Sequence, residues 1–379
     1  MNWRSRAAGP GILRLYLAAG VILTHVFHWA NIATWAVYLF FVLSGFWISK
    51  LWDAKYSRCD RPYLVFLVSR FWRLLPLYWT CTALMLIGVW KICGRLHTWD
   101  AYMHSPGWWV SMLGIVGVAR YPILLRPVWS LDMEMQFYLI APVLLFLVAY
   151  CFSGRFAKAK LGALFTAGAI AFWWMPLMVT VIPYILFFLA GAAIAIGNWK
   201  PPRPLAIASG IAAVAMVIGV WFFPVNVGGI ANGNFEKAVA VDGRNAPDVN
   251  AGGPLMITST QQGDPGRWVA ILFVAVCLPY VASALAQRSD KLDRTLGNLA
   301  YPVYLFHWVP VVMVGHINHF KNLTFQPVLE VLFAAIGSTL IYVVIDRPLD
   351  RRRRKFVESH VEAAREKATY LAIPAVENT

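Results

Sequence analysis

Near the N-terminus, Arg14 and His25 stand eleven residues apart inside a stretch that is otherwise apolar from Gly11 to Ala30. On an α-helix this separation is three turns plus about 20°, so both side chains share one face, roughly 16 Å apart along the axis. A neutral imidazole can take the proton from a hydroxyl as that hydroxyl attacks a thioester, and its unperturbed pKa near 6.5 suits the task. His28 lies one turn further on and could share that work or line an exit. With no third ligand, the His25/His28 pair makes no metal site, and no metal is expected. A histidine packed between helices and satisfied by a carbonyl fits the same position, so the residue pattern leaves two readings open.

Three other groups carry comparable chemistry. Arg70 and Arg73, one helical turn apart, make a small cationic face suited to phosphates such as those of coenzyme A. The same pair also fits a plain positive flank to a membrane span. In Trp129 to Tyr138, the residues Ser130, Glu134 and Tyr138 recur at i, i+4 and i+8 and form a polar stripe. Glu134 could orient the imidazole or bind a sugar hydroxyl, or it could pair structurally with a cation such as Arg126. Ser130, Asp132 and Tyr138, with His28 and His307, are the candidate substrate contacts. His307 reads more readily as a buried structural partner than as a second base. Ser44-Gly45 reads as a site of close helix packing rather than a nucleophile.

These groups need a scaffold, and composition says which kind. Of 379 residues, 59% are hydrophobic and only 13% charged, with 18 Trp and 23 Phe, an excess of apolar surface that belongs in lipid. Runs of about twenty apolar residues predict ten spans, near 12–30, 33–51, 74–93, 135–152, 161–176, 178–197, 204–223, 268–287, 296–315 and 327–346. The fold class expected is an all-α polytopic transmembrane bundle. The stretch 108–119 is too short to cross and reads as a re-entrant or interfacial segment.

The formal charge of +15 is a topology signal here and not a sign of nucleic-acid binding. With a cytoplasmic N-terminus, the inside segments hold 25 of the 33 basic residues, and both termini are cytoplasmic. The first span has no clear cleavage site and is expected to be retained. The long segment 224–267, rich in Gly, Asn, Asp and Pro, is an outside loop. A membrane domain over 1–350 is followed by a basic cytoplasmic tail, 351–379, too short for a further domain and suited to anchoring and headgroup contact. Five cysteines show no CxxC spacing and receive no role beyond packing.

Taken together, the chain resembles the acyltransferase-3 family of membrane O-acyltransferases. The resemblance rests on Arg14-x10-His25, on Leu39 to Ile48 (FFxLSGFxI), on Arg70 to Trp79 (RxxRxxPxYW), on Trp129 to Tyr138 (WSLxxExxFY) and on Leu296 to Trp308 (LGxxSYxxYLxHW). Asp346-Arg347-Pro348 falls where the family often has Glu-Arg-Pro. Five matches in order carry more weight than any one alone. Departures are Asp132 and Met135 in the fourth run and Ala300 in the fifth, which puts the acceptor contacts in doubt.

The resemblance implies a ten-helix bundle in a bacterial inner membrane, with His25 as catalytic base and Arg14 as its partner. It implies that Arg70 and Arg73 form part of an acyl-CoA site, with acetyl-CoA the expected donor. The implied acceptor is a hydroxyl of a cell-envelope or exported glycan or glycolipid. No SGNH-hydrolase domain is expected after the bundle, which would leave the whole transfer to the membrane domain. The alternative is a transporter or flippase for a glycolipid or small solute that uses the midplane histidine as a proton relay.

Overall fold

In a computed structural model, residues 9–27, 32–92, 125, 127–177, 180–222, 266–316 and 325–372 are described. Among them every regular element is helical. The chain forms α1 (Pro10–Phe27), α2 (Ile32–Ala54), α3 (Pro62–Ile92), α4 (Val128–Phe152), α5 (Ala157–Trp174) and α6 (Ile185–Ile196). It continues through α7 (Arg203–Phe222), α8 (Gly266–Leu285), α9 (Lys291–Phe306), α10 (Trp308–His316), α11 (Gln326–Ile341) and α12 (Arg347–Ala372). Proline begins α1 and α3, where its missing N–H and fixed φ suit a first helical turn.

All ten expected spans fall on helices, with corrections at their ends. The third begins earlier, at Pro62, and the fourth at Val128. Among the described residues, five stretches are long and apolar enough to cross a membrane: Pro10–Phe27, Ala33–Arg58, Val128–Phe152, Gly266–Leu285 and Gln326–Lys367. The expected ninth span is broken at His307 into α9 and α10. Pro310 supplies no N–H for the Phe306 carbonyl, which removes one rung of the helical ladder at that place. Beyond α11 the chain passes through a π-helical segment, Tyr342–Asp346, and continues as α12 through residues 351–372. The segment 108–119 and nearly all of 224–267 lie outside the described residues.

Two close approaches set the core. Gly45 of α2 and Gly191 of α6 press against each other's backbones: a Cβ on Gly191 would sit 1.8 Å from the Val42 carbonyl oxygen. This is the small-residue packing expected for Ser44-Gly45. The second approach joins α1 to α9. Asp293, 5% exposed, accepts from Gly11 N at 3.0 and 3.1 Å and from Ile12 N at 2.9 Å, so it caps a helix 282 residues earlier in the chain. Ser289 donates to the same carboxylate, and Asp290 caps α9 itself by accepting from Asp293 N at 2.7 Å. A Cβ on Gly11 would meet the Asp293 carbonyl oxygen at 1.8 Å, and one on Gly297 would meet Gly11 Cα at 2.7 Å.

Arg267, the last residue of the segment expected as an outside loop, belongs to α8 and is fully buried. It donates to the carbonyls of Phe172, Trp173 and Met175 at 2.8, 3.0 and 2.8 Å, satisfying the free C-terminal acceptors of α5.

Replacing Asp293 with Ala should destabilise the protein by about 2 kcal/mol, the upper range for losing a helix cap. Gly11→Ala should cost more, since backbone stands where its methyl must go. Gly219→Ala, where a Cβ meets open space, should leave the melting temperature unchanged or slightly raised. Tryptophan fluorescence during heating in detergent reads all three.

Candidate active site

Between α1, α2, α3, α4 and α9 lies a cavity of about 330 Å³. Its lining along α2 runs from Leu51 to Val37, a span of roughly 21 Å along the helix at 1.5 Å per residue. Arg14, Arg70 and Arg73 face it, with Arg294 from the first turn of α9, against the one carboxylate of Glu134. The excess of fixed positive charge makes the cavity a receptor for an anion.

Each charge is held differently. The Arg14 guanidinium lies over the Trp47 ring, 5.2 Å from its centroid. Arg70 is 5% exposed, donates to the Tyr56 hydroxyl, and sits 5.4, 5.7 and 5.9 Å from the rings of Tyr56, Phe66 and Tyr138. This aromatic cage replaces part of the hydration that burial removes. Arg73 is half-buried. It faces the main cavity on one side and a small niche with Asp346 and Asp350 on the other.

The Ser130, Glu134, Tyr138 stripe expected on α4 faces the cavity as a unit. Glu134 Oε1 accepts from Ser44 Oγ at 2.7 Å and from Tyr138. These partners place it on the arginine side of the site rather than beside the imidazole. Ser130 Oγ and the Tyr304 hydroxyl are 2.6 Å apart, and both lie within hydrogen-bonding distance of the Pro127 carbonyl. Asp132 is fully buried away from the cavity lining. It accepts from Gln136 Nε2 at 3.0 Å, while Gln136 Oε1 accepts from Val181 N at 2.9 Å, a brace between α4 and the chain leading to α6.

His25 stands outside the cavity lining. Its ring stacks on His307 with centroids 5.4 Å apart and planes at 20°, and it meets Trp308 edge-on at 5.2 Å. The wall between is aromatic. Tyr304, which lines the cavity, is 5.6 Å from Phe40 and 6.4 Å from His307. The arginines and the imidazole pair are thus separated by one layer of rings. His28 lies outside the described residues.

A further network, around the residues that hold Arg70, had only faint traces in the sequence. Tyr56 Oη is 2.9 Å from Ser69 Oγ, which accepts from Arg353 Nη1 of α12 at 3.0 Å. Arg353 is paired with Asp350 at 2.5 Å, and Phe356 packs on Trp72 with centroids 5.8 Å apart. The C-terminal helix is thereby joined to the residues that hold Arg70. Burial raises the Tyr56 pKa, but Arg70 and the bond to Ser69 outweigh it and hold the phenol below its ordinary value. Burial also works against the Asp350 carboxylate, and Arg353, followed by Arg73 and Arg354, holds it below the usual carboxylate range.

An acyltransferase domain model matches residues 8–347 of this chain. YrhL of Bacillus subtilis, provisionally named a peptidoglycan O-acetyltransferase, is 26% identical over 90% of this chain and 54% of its own length. The O-acetyltransferase OatA of Staphylococcus aureus is 22% identical over 90% of this chain and 57% of its own. The exopolysaccharide production protein ExoZ of Rhizobium meliloti is 28% identical over 86% of this chain and 92% of its own. The chain therefore spans about half the length of the Bacillus and Staphylococcus proteins. No solved structure matches.

Because the folded-state pKa of Asp350 is depressed, its contribution to docking α12 is complete at neutral pH and is lost as pH falls below roughly 4, through that depressed value. Amide exchange over α12, corrected for intrinsic rate, should be unchanged between pH 8 and 5 and should rise in stronger acid. Asp350→Asn should show the raised exchange already at pH 7.

Proposed function

The chain belongs to the acyltransferase-3 family, and from that premise we propose that it transfers an acyl group from acyl-CoA, with acetyl-CoA the expected donor, to a hydroxyl of a cell-envelope or exported glycan or glycolipid. The observation that carries the reading is the pairing of an arginine-lined cavity with an imidazole pair one ring layer away. Guanidinium groups suit the phosphates of coenzyme A, and a lining that extends about 21 Å along α2 suits a long thiol arm. Of the cations, Arg14 and Arg73 remain half-open to the cavity, whereas Arg70 is largely occupied by Tyr56.

The chemistry assigned to the site is direct transfer. His25 takes the proton of the acceptor hydroxyl as its oxygen attacks the thioester carbonyl, and the collapsing adduct expels the thiolate, which recovers the proton. Glu134, held by Ser44 and Tyr138, stands among the arginines and helps orient them. The basic end of the bundle, with both termini, is assigned to the cytoplasm of a bacterial cell and the histidine end to the far side of its inner membrane. The names of YrhL and ExoZ favour a saccharide acceptor.

One observation favours a second reading. The break between α9 and α10 at His307 resembles the discontinuous helices that transporters place at a substrate site. Purified protein incubated with radiolabelled acetyl-CoA separates the two, because a transporter releases no coenzyme A.

In that assay His25→Ala should abolish label transfer while the protein stays folded. Arg73→Ala should weaken coenzyme A binding about tenfold, the value of one charge-assisted contact, with no change in melting temperature. Arg70→Ala should lower both, since it strips the buried Tyr56 hydroxyl of its donor. Full transfer by His25→Ala would remove the mechanism.

A further inference from the structure

Among the described residues, the buried polar side-chain atoms without a hydrogen-bond partner include the indole N–H groups of Trp35, Trp47 and Trp173, Arg70 Nε, the Thr82 hydroxyl and His307 Nε2. The first four can only donate. His307 Nε2 is the one basic lone pair of the set. Its state follows from the other ring nitrogen. Nδ1 lies 2.8 Å from the Tyr304 carbonyl oxygen, which can only accept, so Nδ1 carries the proton and Nε2 is left an acceptor. The residue is 0% exposed, so Nε2 is closed to bulk solvent, and a buried acceptor without a bond is costly unless something else repays it.

Two features make the site an active one rather than a packing defect. The ring is stacked 5.4 Å from His25. It also sits at the break between α9 and α10, where Pro310 removes a rung of the helical ladder. A histidine whose only task was to brace that break would need Nδ1 alone.

Resting on the acyl-transfer reading, we propose that His307 Nε2 is an acceptor-binding group: it takes a hydrogen bond from the hydroxyl next to the one that reacts, while His25 takes the proton of the reacting hydroxyl. On the acyl-transfer reading His25 engages the reacting hydroxyl, and the unpartnered His307 Nε2 belongs to the ring stacked beside it, so the two rings match two neighbouring hydroxyls of a sugar ring. A simple alcohol would leave His307 Nε2 unfilled. The acceptor class is therefore a vicinal diol, presented as a pair to the two rings. The bond balance of the transfer is unchanged. The acceptor O–H breaks, its oxygen forms the new ester as the C–S bond breaks, and the proton passes through His25 to sulfur. His307 gains and loses no proton.

The test exploits the two ring nitrogens separately. Asparagine places an amide near Nδ1 and keeps the bond to the Tyr304 carbonyl, whereas glutamine reaches the position of Nε2 and gives up that bond. Cells carrying wild type, His307→Asn, His307→Gln or an empty vector are compared for alkali-labile acetate on envelope polysaccharide, and the purified proteins for coenzyme A affinity. His307→Gln should retain ester within about threefold of wild type and His307→Asn should lose at least tenfold, with coenzyme A bound by both within about twofold of wild type. Equal loss in the two variants, a better asparagine than glutamine, or a loss of coenzyme A binding that parallels the loss of ester would overturn the proposal. Wild-type cells with no more ester than the vector control would instead defeat the acyl-transfer reading on which it rests.

Discussion

The arrangement depends on one carboxylate. Asp293 belongs to α9, yet it satisfies the free N–H groups at the start of α1, at 2.9 to 3.1 Å. It does so at a crossing where Gly11 and Gly297 leave no room for a Cβ. A helix N-terminus buried without such a partner would be costly, and its partial positive charge is complemented by an anion held in place. The consequence runs the length of both helices. Once α1 and α9 are clamped at this end, Arg14 faces the cavity four residues in, and the far end of α1 delivers His25 to His307.

Charge inside the bundle follows a consistent rule. Cations with a structural task are closed off: Arg267 caps α5, Arg353 is bound to Asp350 and Ser69, and Arg70 is enclosed by three aromatic rings. Burying an uncompensated guanidinium costs far more than any one contact returns, so each is met by carbonyls, a carboxylate or π-faces. Arg14 and Arg73 are left half-open toward the cavity. That difference in completeness, rather than the presence of positive charge, distinguishes a ligand-receiving cation from a scaffolding one.

Regularity is broken in two places, and both lie beside functional groups. Pro310 ends the ladder at His307, and the π-helical turn Tyr342–Asp346 lets α11 run on into α12 while bringing Asp346 to the niche beside Arg73. Wide turns of this kind are frequent at functional sites because they re-aim side chains without ending the helix. Here the turn sits between a span and a helix whose Arg353 reaches back to Ser69, so the C-terminal helix and the cavity mouth share one hydrogen-bonded network.

Much of this protein was legible from its residues. Apolar run length located helices at all ten expected spans, since the bilayer sets a minimum length that sequence alone can meet. The i, i+4, i+8 rule put Ser130, Glu134 and Tyr138 on one face, and that face does line the cavity, because periodicity on a single helix is a local property. The eleven-residue spacing likewise fixed Arg14 and His25 relative to each other. Local periodicity says nothing about which faces of different helices meet. Glu134 joined the arginines and not His25, Asp132 became a buried brace, and Arg267 became a cap. His307 came to rest on His25, 282 residues away in sequence. Those outcomes were decided by tertiary packing, where a clash of two glycine backbones or one carboxylate over a helix end selects the register between segments that share no sequence neighbourhood.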